Sequence, residues 1–231
     1  MTAGGPRFTV AGMLRGAREI LPIAVFVVPF GLAFGVTATA KAIPPGISVF
    51  MSASVYAGAS QMAALDLWRA PLPIAMLALT VLAVNGRHIM LGAALAPWLL
   101  QIPRLKRLLA LILLSDANFA QALAARDRGE QDAGILFGSG VVMWVIWVAA
   151  TAAGAYGGAW LGDLTRYGFD VMLVTYFGAV VVGQYRGRAD VLPWVVAATT
   201  AVAASYLLPA GWYILVGALA GGITGALRHG R

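Results

Sequence analysis

The sequence predicts an all-α, polytopic membrane helical bundle, and three observations carry that reading. Of 231 residues, 61% are hydrophobic and 11% are charged, with a mean hydropathy of +0.84; no soluble domain of this size hides so much apolar surface. Several runs approach or exceed the roughly 18 to 20 apolar residues that carry a helix across about 30 Å of hydrocarbon. The strict two-residue alternation of a membrane β-barrel is absent.

Residues 1–18 are polar, with Arg7, Arg15 and Arg18, and read as a cytoplasmic tail. Residues 19–228 read as a single transmembrane domain and 229–231 as a short C-terminal tail. The run from Ile20 to Ala40 imitates a signal peptide in its Ala38-Thr39-Ala40 ending, but its apolar part is long and further spans follow, so an uncleaved first helix is expected. Breaks at Pro, Gly and charge clusters delimit the rest as 47–66, 71–99, 106–125, 133–158, 169–185, 190–207 and 211–228, about eight segments in all. At 1.5 Å per residue the stretch 71–99 reaches about 43 Å, so it tilts strongly or breaks. Eight crossings with both ends cytoplasmic place twice as many Lys and Arg inside as outside, although the cluster Arg104, Lys106, Arg107 then falls outside.

Asn85, Gly86, Arg87 and His88 lie in the middle of that over-long stretch. A charged side chain near the bilayer centre costs several kcal/mol on insertion scales, so such groups face partners, water or a substrate pathway. The cluster suggests two half-helices meeting at mid-depth, an arrangement by which transporters present backbone groups to substrate. Comparable interruptions are expected at Pro29-Phe30-Gly31 and at Gly58-Ala59-Ser60-Gln61, with one shared cavity.

Tyr56 and Ser60 are four residues apart and share a helical face, with Gln61 close by. They serve either as uncharged donors and acceptors for a zwitterion or as interhelical hydrogen bonds. Asp116 and Asn118 interrupt the segment from Leu108 to Ala125, and Asp116 is the one acidic residue expected deep in a span. Arg87 is the one comparably deep cation, and pairing would lower the cost of both. A permanent pair is structural; proton exchange at Asp116 or His88 would couple transport to a proton gradient. Asp170 reads as a helix cap near the interface. Trp144 and Trp147 share a face; they could shape an apolar pocket, but packing or an interfacial belt is the commoner role of tryptophan. Gly217, Gly221 and Gly225 form two overlapping GxxxG motifs, a possible face for a partner helix.

Some chemistries are set aside. With no cysteine, thiolate and disulfide chemistry is excluded. The two histidines, His88 and His229, do not form an HExxH pair, and neither a metal nor another cofactor is expected. The net charge of +7 is scattered over short loops, a pattern of membrane topology rather than nucleic-acid binding. GxxxxGK[ST] is missing, so ATP hydrolysis gives way to an ion gradient as the driving force. Ser139 with His88 would be the nucleophile and base of an intramembrane enzyme, but no GxSxG context surrounds Ser139.

Four stretches in order, PFGLAFG from Pro29 to Gly35, MSASVYAGASQ from Met51 to Gln61, VNGRHIMLGAALAP from Val84 to Pro97 and SDANFA from Ser115 to Ala120, resemble the AzlC family over nearly the whole chain. The resemblance implies the large subunit of a bacterial branched-chain amino-acid exporter in the plasma membrane. It implies leucine, isoleucine, valine and sometimes methionine as substrates, and a small multi-span AzlD-type subunit as partner. Gly86 and Ala117 depart from the family pattern, which has a larger residue and an acidic or polar residue there. The aliphatic substrate suits Phe30, Trp144 and Trp147, while its carboxylate and ammonium suit Arg87 and Asp116 or broken-helix N-termini. A channel and a non-transporting partner subunit remain the alternatives, since broken helices and a buried charge fit a channel too.

Overall fold

In the computed structural model, the described residues are 6–161, 171, 178, 182, 185, 187–208 and 212–229. They are helical, with no β-strand among them, and four helical stretches are long and apolar enough to cross a membrane: Val10–Ala40, Ile74–Leu99, Gly134–Gly158 and Arg188–Leu207. Shorter apolar helices cover Pro45–Val55 and Leu215–Arg228. The chain is thus an all-α polytopic membrane protein. Its contacts group into two compact units, residues 1–61 with 85–162 and residues 62–84 with 163–231, where the sequence suggested one domain over 19–228.

In the first unit, α1 (Val10–Ala24) passes through a 3-10 turn at Val25–Val27 into α2 (Val28–Ala40). Helix therefore begins at Val10, not after residue 18. Thr9 caps α1 by accepting from the Gly12 amide at 3.0 Å, and Gly12 and Gly16 are buried against the start of the helix that follows residue 133. The tight turn falls just ahead of Pro29, whose ring removes a donor and crowds the carbonyl four residues back. The interruption expected at Pro29 is a tightening of a continuous rod.

The second interruption is a true break. Helix α3 (Pro45–Val55) ends at Tyr56, which takes a left-handed conformation at φ 45°, and α4 (Gly58–Asp66) starts two residues later. A bulky residue at positive φ is uncommon and persists only where its surroundings hold it. Here Tyr56 packs against the cluster of Ile20, Ala24 and Met143. Gln61 Nε2 donates to Ser52 Oγ at 3.0 Å. In one straight helix residues so spaced would stand about 13 Å apart along the axis, so the first turn of α4 folds back beside α3.

The third expected break is present in a minimal form. Helix α5 (Ile74–Asn85) ends and α6 (Arg87–Leu99) begins on either side of a turn at Gly86, whose angles stay helical at φ −52° and ψ −28°, with the Ile89 amide donating to the Gly86 carbonyl at 3.1 Å. Glycine permits an unwound backbone but does not impose one.

Residues 106–125 do not form the single helix expected. Helix α7 (Arg104–Ile112) stops, and α8 (Asp116–Asp127) begins after Ser115. Ser115 and Asn118 make a reciprocal capping box, with the Ser115 amide donating to Asn118 Oδ1 at 2.7 Å. Asp116 is consequently the first residue of a helix, where a negative charge suits the helix dipole, rather than an intruder in mid-span. The long helix α9 (Gly134–Leu161) runs beside α1, α2 and α3 as the unit's central post.

In the second unit, α10 (Arg188–Leu207) and α11 (Trp212–His229) form a close pair. A Cβ at Gly217 or Gly221 would stand 2.7 Å from the Cβ of Ala201 or Ala197. The GxxxG face proposed for a separate partner is thus occupied, at these two positions, by the chain's own α10.

Candidate functional site

A continuous polar network lines the break between α3 and α4. Ser52 Oγ lies 2.8 Å from Thr151 Oγ1, and Gln61 joins it. Trp147 Nε1 donates to Gln61 Oε1 at 3.1 Å, and the Ala57 amide points at the same oxygen at 3.4 Å. Ser60 Oγ donates to the Ala57 carbonyl at 2.9 Å and accepts from Asn85 Nδ2 at 3.3 Å. Ser52, Ser60, Gln61 and Thr151 are fully buried. Such groups are tolerated in a low-dielectric interior because each is bonded.

At the end of this network the charges meet. An Arg87 terminal nitrogen lies 2.9 Å from Asp116 Oδ2, with the two side chains 30% and 34% exposed. Partial exposure leaves the pair open to exchange with a ligand, which a sealed pair would not be. Three side-chain atoms around it are buried without a hydrogen bond among the described residues: Asn85 Oδ1, Arg87 Nε and the Tyr56 hydroxyl. Arg87 Nε belongs to the pair itself, and Asn85 lies two residues before Arg87 in the chain. Tyr56 packs on the same apolar cluster as Ala117, next to Asp116.

The expected site residues divide accordingly. Tyr56, Ser60, Gln61, Asn85, Arg87, Asp116 and Trp147 come together at the α3–α4 break, and Gly58 admits the Trp147 ring, 2.9 Å from where a Cβ would stand. His88 Nδ1 lies 3.2 Å from the Asn85 carbonyl, an oxygen that can only accept from it. Asn118 is buried and serves the cap, its amide also donating to the Leu113 carbonyl at 2.7 Å. Trp144 Nε1 donates to the Ala53 carbonyl at 3.0 Å. The two tryptophans thus act as hydrogen-bond donors to α3 and α4. Pro29 and Gly31 sit elsewhere: Pro29 opens α2, and Gly31 packs on Ala150 of α9, while Phe30 is half-buried on α2. Asp170 lies outside the described residues.

Several participants escaped the sequence reading. Thr151 lies 99 residues from its partner Ser52, and nothing in the local sequence links the two. Phe34 stacks on Trp147, with ring centroids 6.2 Å apart. Asp132 accepts from the Thr9 amide and hydroxyl, and Arg15 pairs with Glu19 and Glu130, which ties the start of α1 to the loop before α9. Among the described residues no cluster of His, Asp and Glu could hold a metal ion.

Apolar helices of spanning length around a buried polar centre define a helical membrane protein. The chain belongs to the AzlC family: the family model, described as AzlC protein, matches residues 22–161. It is also similar to inner membrane protein YgaZ of Escherichia coli (strain K12), 33% identical over 154 residues, which is 65% of this chain and 63% of that protein. The alignment thus spans less than two thirds of that relative's length. No solved structure matches the chain.

Proposed function

We propose that the chain exports branched-chain amino acids, leucine, isoleucine, valine and methionine among them, by secondary active transport. In this reading it is the large subunit of a two-component carrier with a small AzlD-type membrane protein, its N-terminus is cytoplasmic, and an ion gradient, protons in the first instance, drives it. One observation carries the proposal: the Arg87–Asp116 pair is only partly covered and is flanked by the unsatisfied atoms of Asn85, Arg87 and Tyr56. A free amino acid carries the complementary charges. Its carboxylate matches the Arg87 guanidinium and its ammonium matches the Asp116 carboxylate and Asn85 Oδ1, while its aliphatic side chain suits the neighbouring Met143 and Ala117. Opening the internal pair on binding and remaking it on release would return the empty carrier to a closed state.

The family membership supports a membrane transport role, and the resemblance supplies the substrate class. The test is leucine efflux from loaded cells. Arg87→Ala and Asp116→Asn are expected to reduce efflux to background with the protein still in the membrane fraction, while Ser139→Ala leaves efflux unchanged. Normal efflux from Arg87→Ala cells overturns the assignment. Concentrative, gradient-dependent flux separates a carrier from a channel, which would only equilibrate substrate.

A further inference from the structure

The packing around α7 and α8 places both ends of this helix pair at one face of the unit. Ahead of α7, Leu99 and Ile102 belong to the same apolar cluster as Ala133, with Phe8 and Phe137 packed on it. Lys106 Nζ lies 5.6 Å from the centre of the Phe8 ring, and the Phe8 and Phe137 rings are 5.9 Å apart. Arg7 is bridged to residues 131–133 by two backbone hydrogen bonds of 2.8 Å. At the far end of α8, Arg126 reaches the Ala94 carbonyl at 3.5 Å and Gln121 the Gly16 carbonyl at 3.2 Å. The end of α6, the start of α7, the end of α8 and the start of α9 are thus all level with the N-terminal segment.

The turn between α7 and α8 lies much deeper. Ala117 packs in the cluster of Ile20, Met143 and Tyr56. Ile20 is ten residues into α1 and Met143 nine into α9, depths of about 15 and 14 Å at 1.5 Å per residue. Arg87, which pairs with Asp116, is twelve residues from the end of α6, about 18 Å. These depths agree with one another and amount to about half of a 30 Å hydrocarbon layer. Helix α3 approaches the same level from the opposite face: Gly46 lies by the Tyr156 hydroxyl far along α9, Ser52 by Thr151, and Tyr56 in the cluster with Met143. There the chain turns and Gln61 comes back beside Ser52.

We propose that α7–α8 is a re-entrant hairpin entering from the face of the N-terminal segment, that α3 enters from the opposite face, and that the hairpin tip at Leu113–Ser115 and the chain break at Tyr56–Ala57 meet at mid-depth as the barrier between two half-pathways. Non-helical backbone at such depth requires cover by protein or a cavity. The tips supply it for each other, with Tyr56 and Ala117 packed on the same cluster of Ile20, Ala24 and Met143 and the Arg87–Asp116 pair alongside. The Arg104, Lys106, Arg107 cluster then shares a face with the N-terminal segment. That removes the exception which a straight crossing through residues 106–125 creates for the charge rule.

The barrier role rests on the export reading; the topology does not. Because the native chain has no cysteine, single cysteines report sidedness without background. Gln101→Cys, Asp127→Cys and Lys41→Cys would be exposed to a membrane-impermeant maleimide in right-side-out and inverted vesicles. The hairpin predicts that Gln101→Cys and Asp127→Cys label from one side and Lys41→Cys from the other. Labelling of Gln101→Cys and Asp127→Cys from opposite sides overturns it. For the barrier, the pair Tyr56→Cys with Ser115→Cys would be bridged by a short bifunctional thiol reagent in the full-length protein, with Ala57→Cys and Ala117→Cys as a second pair should the first not insert. Bridging is expected to form and to stop leucine flux. Failure of both inserted pairs to bridge contradicts the meeting of tips, and undiminished flux through a bridged protein contradicts their role as a barrier.

Discussion

Gln61 holds together more of the candidate site than any charged residue does. Its amide oxygen receives the Trp147 indole and the Ala57 backbone amide, and its nitrogen donates to Ser52. Leucine at this position fits the volume but satisfies none of these groups, and each buried group left unpaired costs about 1–3 kcal/mol. Gln61→Leu is therefore expected to lower the melting temperature of the detergent-solubilised protein clearly below wild type. A melting temperature equal to wild type would show that the network is not needed for stability. Ser139 stands at the opposite extreme. It is buried, but its hydroxyl bonds only to the Ile135 and Leu136 carbonyls of its own helix. Ser139→Ala deletes donor and volume together and should change stability by less than about 1 kcal/mol, and a thermal melt checks it.

Helix α2 approaches α9 on glycine. At Gly35 a Cβ would stand 2.5 Å from the Ala155 backbone nitrogen, and at Gly31 it would stand 2.6 Å from the Ala150 Cβ. Small residues let membrane helices pack backbone to backbone. Gly35→Leu should prevent α2 from seating on α9 and abolish accumulation of folded protein, whereas Gly157→Ala, where nothing among the described residues lies within 4 Å, should be tolerated. Size-exclusion profiles of tagged variants decide this, and a normal profile for Gly35→Leu would contradict the packing. At this scale sequence and structure part in an instructive way. Composition and run length revealed the long apolar helices, because the bilayer demands about twenty apolar residues in a row. The break near Gly58 was visible for the same reason: polar and small residues crowd a span. The break at Leu113–Ser115 was read as continuous, since its signal is one Ser-x-x-Asn cap among leucines. The interruption at Asn85–His88 is legible too, but it amounts to a single turn residue, because a glycine beside polar residues permits unwinding without imposing it. The Arg87–Asp116 pair was legible because charges are so few at depth that each must seek the other. The Ser52–Thr151 contact was not, because nothing local marks a long-range hydrogen bond between two common residues.

For the whole molecule, the central question is whether the ion pair serves the substrate or merely the fold. Deleting one partner cannot separate these roles, because it leaves the other charge uncompensated in either case. Exchanging the two can. Arg87→Asp combined with Asp116→Arg preserves an opposite-charge pair across the 2.9 Å contact, but it reverses the polarity presented to a zwitterion. It also places a cation at the first turn of α8, against the helix dipole. The direct measurement is leucine counterflow in proteoliposomes holding the chain and its small subunit, wild type beside the exchanged pair, with equal insertion verified in both. Wild type is predicted to show counterflow and the exchanged pair, folded and inserted, to show none. Counterflow restored to wild-type rate by the exchanged pair would contradict the account, because the pair would then be structural and the substrate would bind elsewhere.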